Sequence, residues 1–176
     1  MSDTATQLHA SADAQIHELI GLLSARGEDG LRLPCPGREK LGDGTVGALA
    51  SHTADNYHRI AGFARSAGER TPAPASRHRI QRFLLARGHS PGRHDEGTHD
   101  AGYTATDVDL DGLLQRLSSA AEALTPLTAI SDQQLATVPP AGAFRFCDGQ
   151  RTLAQVLTSL LNHQSRQIDA LRAALA

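Results

Sequence analysis

Apolar residues recur three and four positions apart in four stretches of the chain, the spacing that places them on one face of a helix. Leu8, Ala12, Ile16, Leu19, Ile20 and Leu23 mark a first helix from Gln7 to Arg26, with Gly27 as its stop. The loop that follows, LRLPCPGREKLGDG, is broken by prolines and glycines. Val46, Leu49, Ala50, Thr53, Tyr57, Ile60 and Phe63 then form the stripe of a second helix, Thr45 to Ser66. A third begins at Thr106 or Asp107, whose oxygens suit the free amides of a first turn, and runs through Leu110, Leu113, Leu114, Leu117, Ala121 and Leu124 to Pro126. A fourth, capped by Thr152, runs from Leu153 to the C-terminus.

Between the second and third helices lie about forty residues, too many for an ordinary loop in a compact domain. Ser76 to Arg87, with Ile80, Phe83 and Leu84 and a Gly88 stop, predicts a short extra helix there. The following HSPGRHDEGTHDAGYT has no period. The strand signal is confined to AFRF at 143–146. The pattern predicts an all-α protein: one domain, residues 1–176, folded as an antiparallel four-helix bundle with a long crossover between helices two and three.

The last helix carries an irregularity with chemical content. Its stripe of Leu153, Leu157 and Leu160 passes to His163 and Gln167 before resuming at Leu171 and Leu175. Burying an unpaired polar group costs about 1–3 kcal/mol, so leucine would be the ordinary choice there, and His163 and Gln167 need partners. Four residues apart, they share a helical face, the geometry by which a helical pair offers two donor atoms to one metal. In helix two, His52 and Asn56 border the stripe between Leu49 and Ile60. One donor from one helix and two from another would leave coordination positions open, as catalytic metal sites require.

The balance of charge narrows the partners. Seventeen Lys and Arg stand against nineteen Asp and Glu, so no chain-wide basic field exists to hold nucleic acid. Aromatic residues make up 3% and tryptophan is absent, which removes a stacking platform for bases. No apolar run approaches the roughly 20 residues that cross a bilayer, and MSDTATQLHASADAQ lacks the pattern of a signal peptide. The expectation is a cytoplasmic protein without membrane or nucleic-acid partners, in which Cys35 and Cys147 are free thiols.

Taken together, SHTADNYHRIAGF in helix two and HQSRQ in helix four resemble the DinB-like or YfiT-like metal-binding four-helix bundles, whose helix-four pair reads H-x-x-x-H. The resemblance spans nearly the whole chain and implies a divalent transition metal, zinc, nickel or iron, held by His52 and His163. Gln167 stands at the last ligand position in place of histidine, and its amide oxygen is a weaker donor than imidazole. The family includes bacillithiol and mycothiol transferases and a mycothiol-dependent maleylpyruvate isomerase, in which the metal binds the thiol cosubstrate as a thiolate. For this chain the resemblance implies metal-dependent activation of a low-molecular-weight thiol, or of water, for attack on a small electrophile. Asn56 and Tyr57 are candidates to line the substrate pocket, and a homodimer is left open.

Two other classes remain at this point: a metal- or small-molecule-binding bundle without turnover, whose site has degenerated at Gln167, and a bundle in which His52, His163 and Gln167 form a buried hydrogen-bond network that fixes helix register. Tyr57 also reads as a core residue with its hydroxyl satisfied. His94, Asp95, His99 and Asp100 read as a solvated loop, because nothing fixes their geometry. His9, His17, His58, His78 and His89 read as surface residues. Cys35, in LPCPG, reads as a small packed residue. Arg59 and Arg166 read as solvated, though either has the fork to bind an anion.

Overall fold

The computed structural model describes residues 2–69 and 108–176. All regular structure in them is helical: α1 (Asp3–Leu31), α2 (Val46–Glu69), α3 (Leu110–Leu124), a tight 3-10 turn at Thr125–Ala129, the single turn α4 (Asp132–Leu135), and α5 (Leu153–Leu175). The expected helix at 76–87, the histidine cluster at 94–100, His78, His89 and the Thr106 or Asp107 cap lie outside the described residues.

The chain starts each helix where a side chain can take up a free amide. Thr152 accepts from the Gln155 amide while Gln155 Oε1 accepts from the Thr152 amide, a reciprocal cap that fixes the start of α5 at the predicted residue. Asp109, and not the expected Thr106 or Asp107, accepts from the Gly112 amide and starts α3, because the helix begins only at Leu110. Gly27 breaks the helix where a stop is expected, and a further helical turn follows it. With φ +67° and ψ −166° it interrupts the helical path, but the chain re-enters a helical turn and α1 continues to Leu31. That extra turn buries Leu31. The AFRF segment is a run of turns and not a strand, and the sole strand-like contact among the described residues is an isolated bridge between Pro34 and Thr45.

The long helices pack in a cycle: α1 lies against α3 and α5, and α2 lies against the same two. Ile16, Leu19 and Leu23 of α1, Leu49 and Ile60 of α2, Leu113 and Leu117 of α3, and Leu157 and Leu171 of α5 are buried among them. Each such side chain contributes about 1.5–3 kcal/mol by leaving water. Polar contacts fix the lateral register. The Tyr57 hydroxyl donates to Gln15 Oε1 at 2.9 Å, and Gln15 Nε2 donates to the Leu161 carbonyl at 3.2 Å, so one chain of hydrogen bonds links α2, α1 and α5. On the other side of α2, Arg116 of α3 donates to Ser51 Oγ and pairs with Asp55. His58, read as an unpartnered surface residue, is half-buried and bonds the Arg116 carbonyl at 3.1 Å. No helix among the described residues is long and apolar enough to cross a membrane.

Candidate functional site

The α2 and α5 irregularities form two matching pairs. On α2, the Asn56 amide nitrogen lies 2.9 Å from His52 Nε2. On α5, the Gln167 amide nitrogen lies 3.1 Å from His163 Nε2. Both imidazoles and Asn56 are half-buried, whereas Gln167 is buried. The helices that carry the pairs pack together, and the charge of His52 is one of those acting on His163, so the two imidazoles share an electrostatic environment.

His163 differs from its expected placement. It stands at the edge of the α5 seam, and the fully buried polar position is Gln164, one residue on, which sequence spacing did not single out. Gln164 Nε2 donates to the Thr53 carbonyl at 3.4 Å across to α2, while its Oε1 has no hydrogen-bond partner. Tyr57 is wholly buried, and its hydroxyl is engaged by Gln15. Burial raises its pKa, so it stays a neutral donor inside the core.

Sequence spacing also missed the loop between α4 and α5, which sets Arg145 and Phe146 on His163. Arg145 Nη1 lies 3.3 Å from His163 Nε2, and the Phe146 ring meets the imidazole edge-on at 6.2 Å between centroids. The Arg145 guanidinium is 5.2 Å from the centre of the Phe146 ring. Phe146 has a φ of +66°, a conformation that costs a bulky residue about 1 kcal/mol or more and that occurs preferentially at functional sites. A signal for this loop in the sequence was absent, because AFRF carries strand-forming residues and its contact with α5 is purely tertiary.

A guanidinium can only donate, so Nε2 of His163 is the lone-pair nitrogen and the ring is neutral. Desolvation is the largest cause that lowers the His163 pKa to about 4, followed by the charges of Arg145 and Arg166, the nearby His52 imidazole and the charge of Arg38. The site thus keeps the His163 Nε2 lone pair unprotonated at neutral pH, inside a positive field.

Three observations test the fit of a divalent metal. First, Gln167 Oε1 is buried without a hydrogen-bond partner, and a half-turn of the amide would exchange it with the nitrogen now beside His163. Second, the 3.1 Å between His163 Nε2 and the Gln167 amide is the spacing of two donors at about 2.0–2.1 Å from one metal with an angle near 100°. Third, Arg145 occupies the same lone pair and must swing aside for a metal to bind. No cluster of three or more His, Cys, Asp or Glu converges among the described residues, so a metal here would depend on the neutral amide. His163 Nε2 and, after that half-turn, Gln167 Oε1 could offer such an ion two donors from one face of α5.

The two cysteines are free and buried, and burial raises both thiol pKa values, which leaves neither a ready nucleophile. Cys35 packs beside α5, with its sulfur 3.9 Å from the Ala170 carbonyl. Comparison of the chain with protein-family models, curated proteins and solved structures gave no match.

Proposed function

We propose that the chain is a metal-dependent enzyme of the DinB-like kind, folded as an antiparallel four-helix bundle with a long crossover between its second and third long helices, and that it activates a low-molecular-weight thiol or a water for attack on a small electrophile. The observation that carries the reading is the buried, unpartnered oxygen of Gln167 beside the neutral His163 nitrogen. An unsatisfied buried carbonyl costs about 1–3 kcal/mol, and a cation at this point would satisfy it.

His52, His163 and Gln167 would hold zinc, nickel or iron. A bound divalent ion supplies Lewis acidity that lowers the pKa of a coordinated thiol or water. The remaining chemistry belongs to the chain. Three neutral donors would leave the charge of such an ion undiminished and would leave room for a cosubstrate. Arg38, Arg145 and Arg166, whose charges disfavour protonation of His163, stabilise an anionic sulfur or oxygen for the same reason. Arg145, which lies on His163 Nε2, would be freed if that nitrogen held an ion and could then hold an anionic group of the substrate with its fork. Asn56, beside His52, orients that ring through its amide.

The test is metal-dependent consumption of mycothiol, bacillithiol or glutathione against epoxides, alkyl halides and activated alkenes. The expected result is a rate for at least one pair that disappears with chelator and in His163→Ala. No rate above the chelated control, in protein with one metal per chain, refutes thiol transfer. A second reading has its own support: Arg145 and Gln167 already satisfy His163 Nε2, as they would in a hydrogen-bond network that serves only to fix helix register. That reading requires His163→Ala and Gln167→Leu to destabilise the protein with chelator present.

A further inference from the structure

Beyond the histidine site, α2 borders a groove of about 570 Å3, the size of pockets that hold small organic ligands. Its walls are Phe63 from α2 and Val138, Pro139, Pro140 and Phe144 from the loop that leads to α5. Phe63 and Phe144 stack with ring centres 4.8 Å apart, so one wall of the groove is an aromatic pair. Val138 is about half exposed, at 48%, and is one of only two large apolar side chains so exposed among the described residues. Water in such a groove is poorly bonded, and its displacement by an apolar body is favourable.

One charge lies in this lining. Arg59 is exposed and makes no ion pair or hydrogen bond with another described residue. Asp55, one turn earlier on the same helix, is engaged by Arg116 of α3. The other polar lining groups are committed: Thr137 Oγ1 donates to the Gln134 carbonyl and Ser66 Oγ to the Gly62 carbonyl. An apolar groove with one available guanidinium matches a ligand that has an apolar body and one anionic end.

We propose that this groove binds an aryl-alkyl monocarboxylate, with its ring against Phe63 and Phe144 and its carboxylate on Arg59. The position gives the site a direction. His52, Asn56, Arg59 and Phe63 follow one another at spacings of four, three and four, so they share a face of α2. Arg59 therefore stands between the aromatic wall and the histidine site, about 4.5 Å along the helix axis from Asn56. The carboxylate end of the ligand faces His52 and the aromatic end faces away. Binding in the groove does not require a metal, so this inference stands apart from the proposed chemistry.

The experiment is calorimetric titration of the full chain, with chelator present throughout, using phenylbutyrate and its neutral amide as probes. Phenylbutyrate should bind saturably and the amide about tenfold more weakly, the ratio expected for loss of one charge-assisted contact. Arg59→Gln should erase the preference by weakening the acid alone. Val138→Glu, an exposed substitution that sets a negative charge in the groove, should weaken the acid further than the amide. Absence of saturable phenylbutyrate binding, equal binding of acid and amide, or an acid preference that survives Arg59→Gln each overturns the proposal. Sedimentation of the same samples covers the other occupant: a self-association that Val138→Glu abolishes assigns the groove to a second copy of the chain and also overturns it.

Discussion

Replacing Gln167 with leucine should make the metal-free protein more stable while removing a proposed metal donor. Gln167 is buried on α5, its Oε1 has no hydrogen-bond partner, and its amide nitrogen makes one bond, to His163. Leucine ends the unsatisfied carbonyl, worth about 1–3 kcal/mol, and has a helix propensity close to that of glutamine. The bond lost is worth about 0.5–1.5 kcal/mol, and His163 is half-buried with Arg145 still beside its Nε2 at 3.3 Å. The balance is a gain of about 1 kcal/mol, which raises Tm by about 2–4 °C in a protein of this size. Urea denaturation with chelator present measures it, with the slope m required to stay constant so that the shift in midpoint reports stability. A loss of more than about 0.5 kcal/mol at constant m would refute the reasoning and make Gln167 a structural residue.

Two further outcomes follow from the same geometry. Tyr57→Phe should cost about 1–2 kcal/mol in denaturant unfolding, because Gln15 Oε1 loses its donor, and should leave metal affinity unchanged. In chelated protein, stability should fall as pH drops from about 6.5 to about 4, since the unfolded chain takes up a proton at His163 that the folded chain resists. The full shift would correspond to about 3 kcal/mol, which solvent around the half-exposed ring reduces to about 1–2 kcal/mol. Comparison of His163→Ala with the parent across that range measures it, and parallel profiles would contradict it.

The periodic parts of the chain are the legible ones. Leu49, Tyr57 and Ile60 are buried as their spacing requires, and the Thr152 cap is set by local chemistry alone. Gly27 shows the limit of a local rule: a positive φ can end a helix or kink one, and the burial of Leu31 beyond it decides between the two. At the site, the i, i+4 pairs were readable because each lies within one helix. The displacement of His163 to the seam's edge was not, since a rotation of one residue about α5 exchanges it with Gln164 and depends on how α5 meets α2. Arg145 and Phe146 were invisible because a turn with a left-handed Phe146, and no periodic pattern, brings them to His163.

Metal binding at this site is tested by a competitive chelator titration of zinc, nickel and iron(II) against tag-free protein, its His52→Ala and His163→Ala variants, and Gln167→His. One ion per parent chain is expected, none in either alanine variant, and tighter binding in Gln167→His because imidazole is the better donor. Stoichiometric binding that persists in both alanine variants, or no binding by the parent or by Gln167→His, would contradict the proposed site.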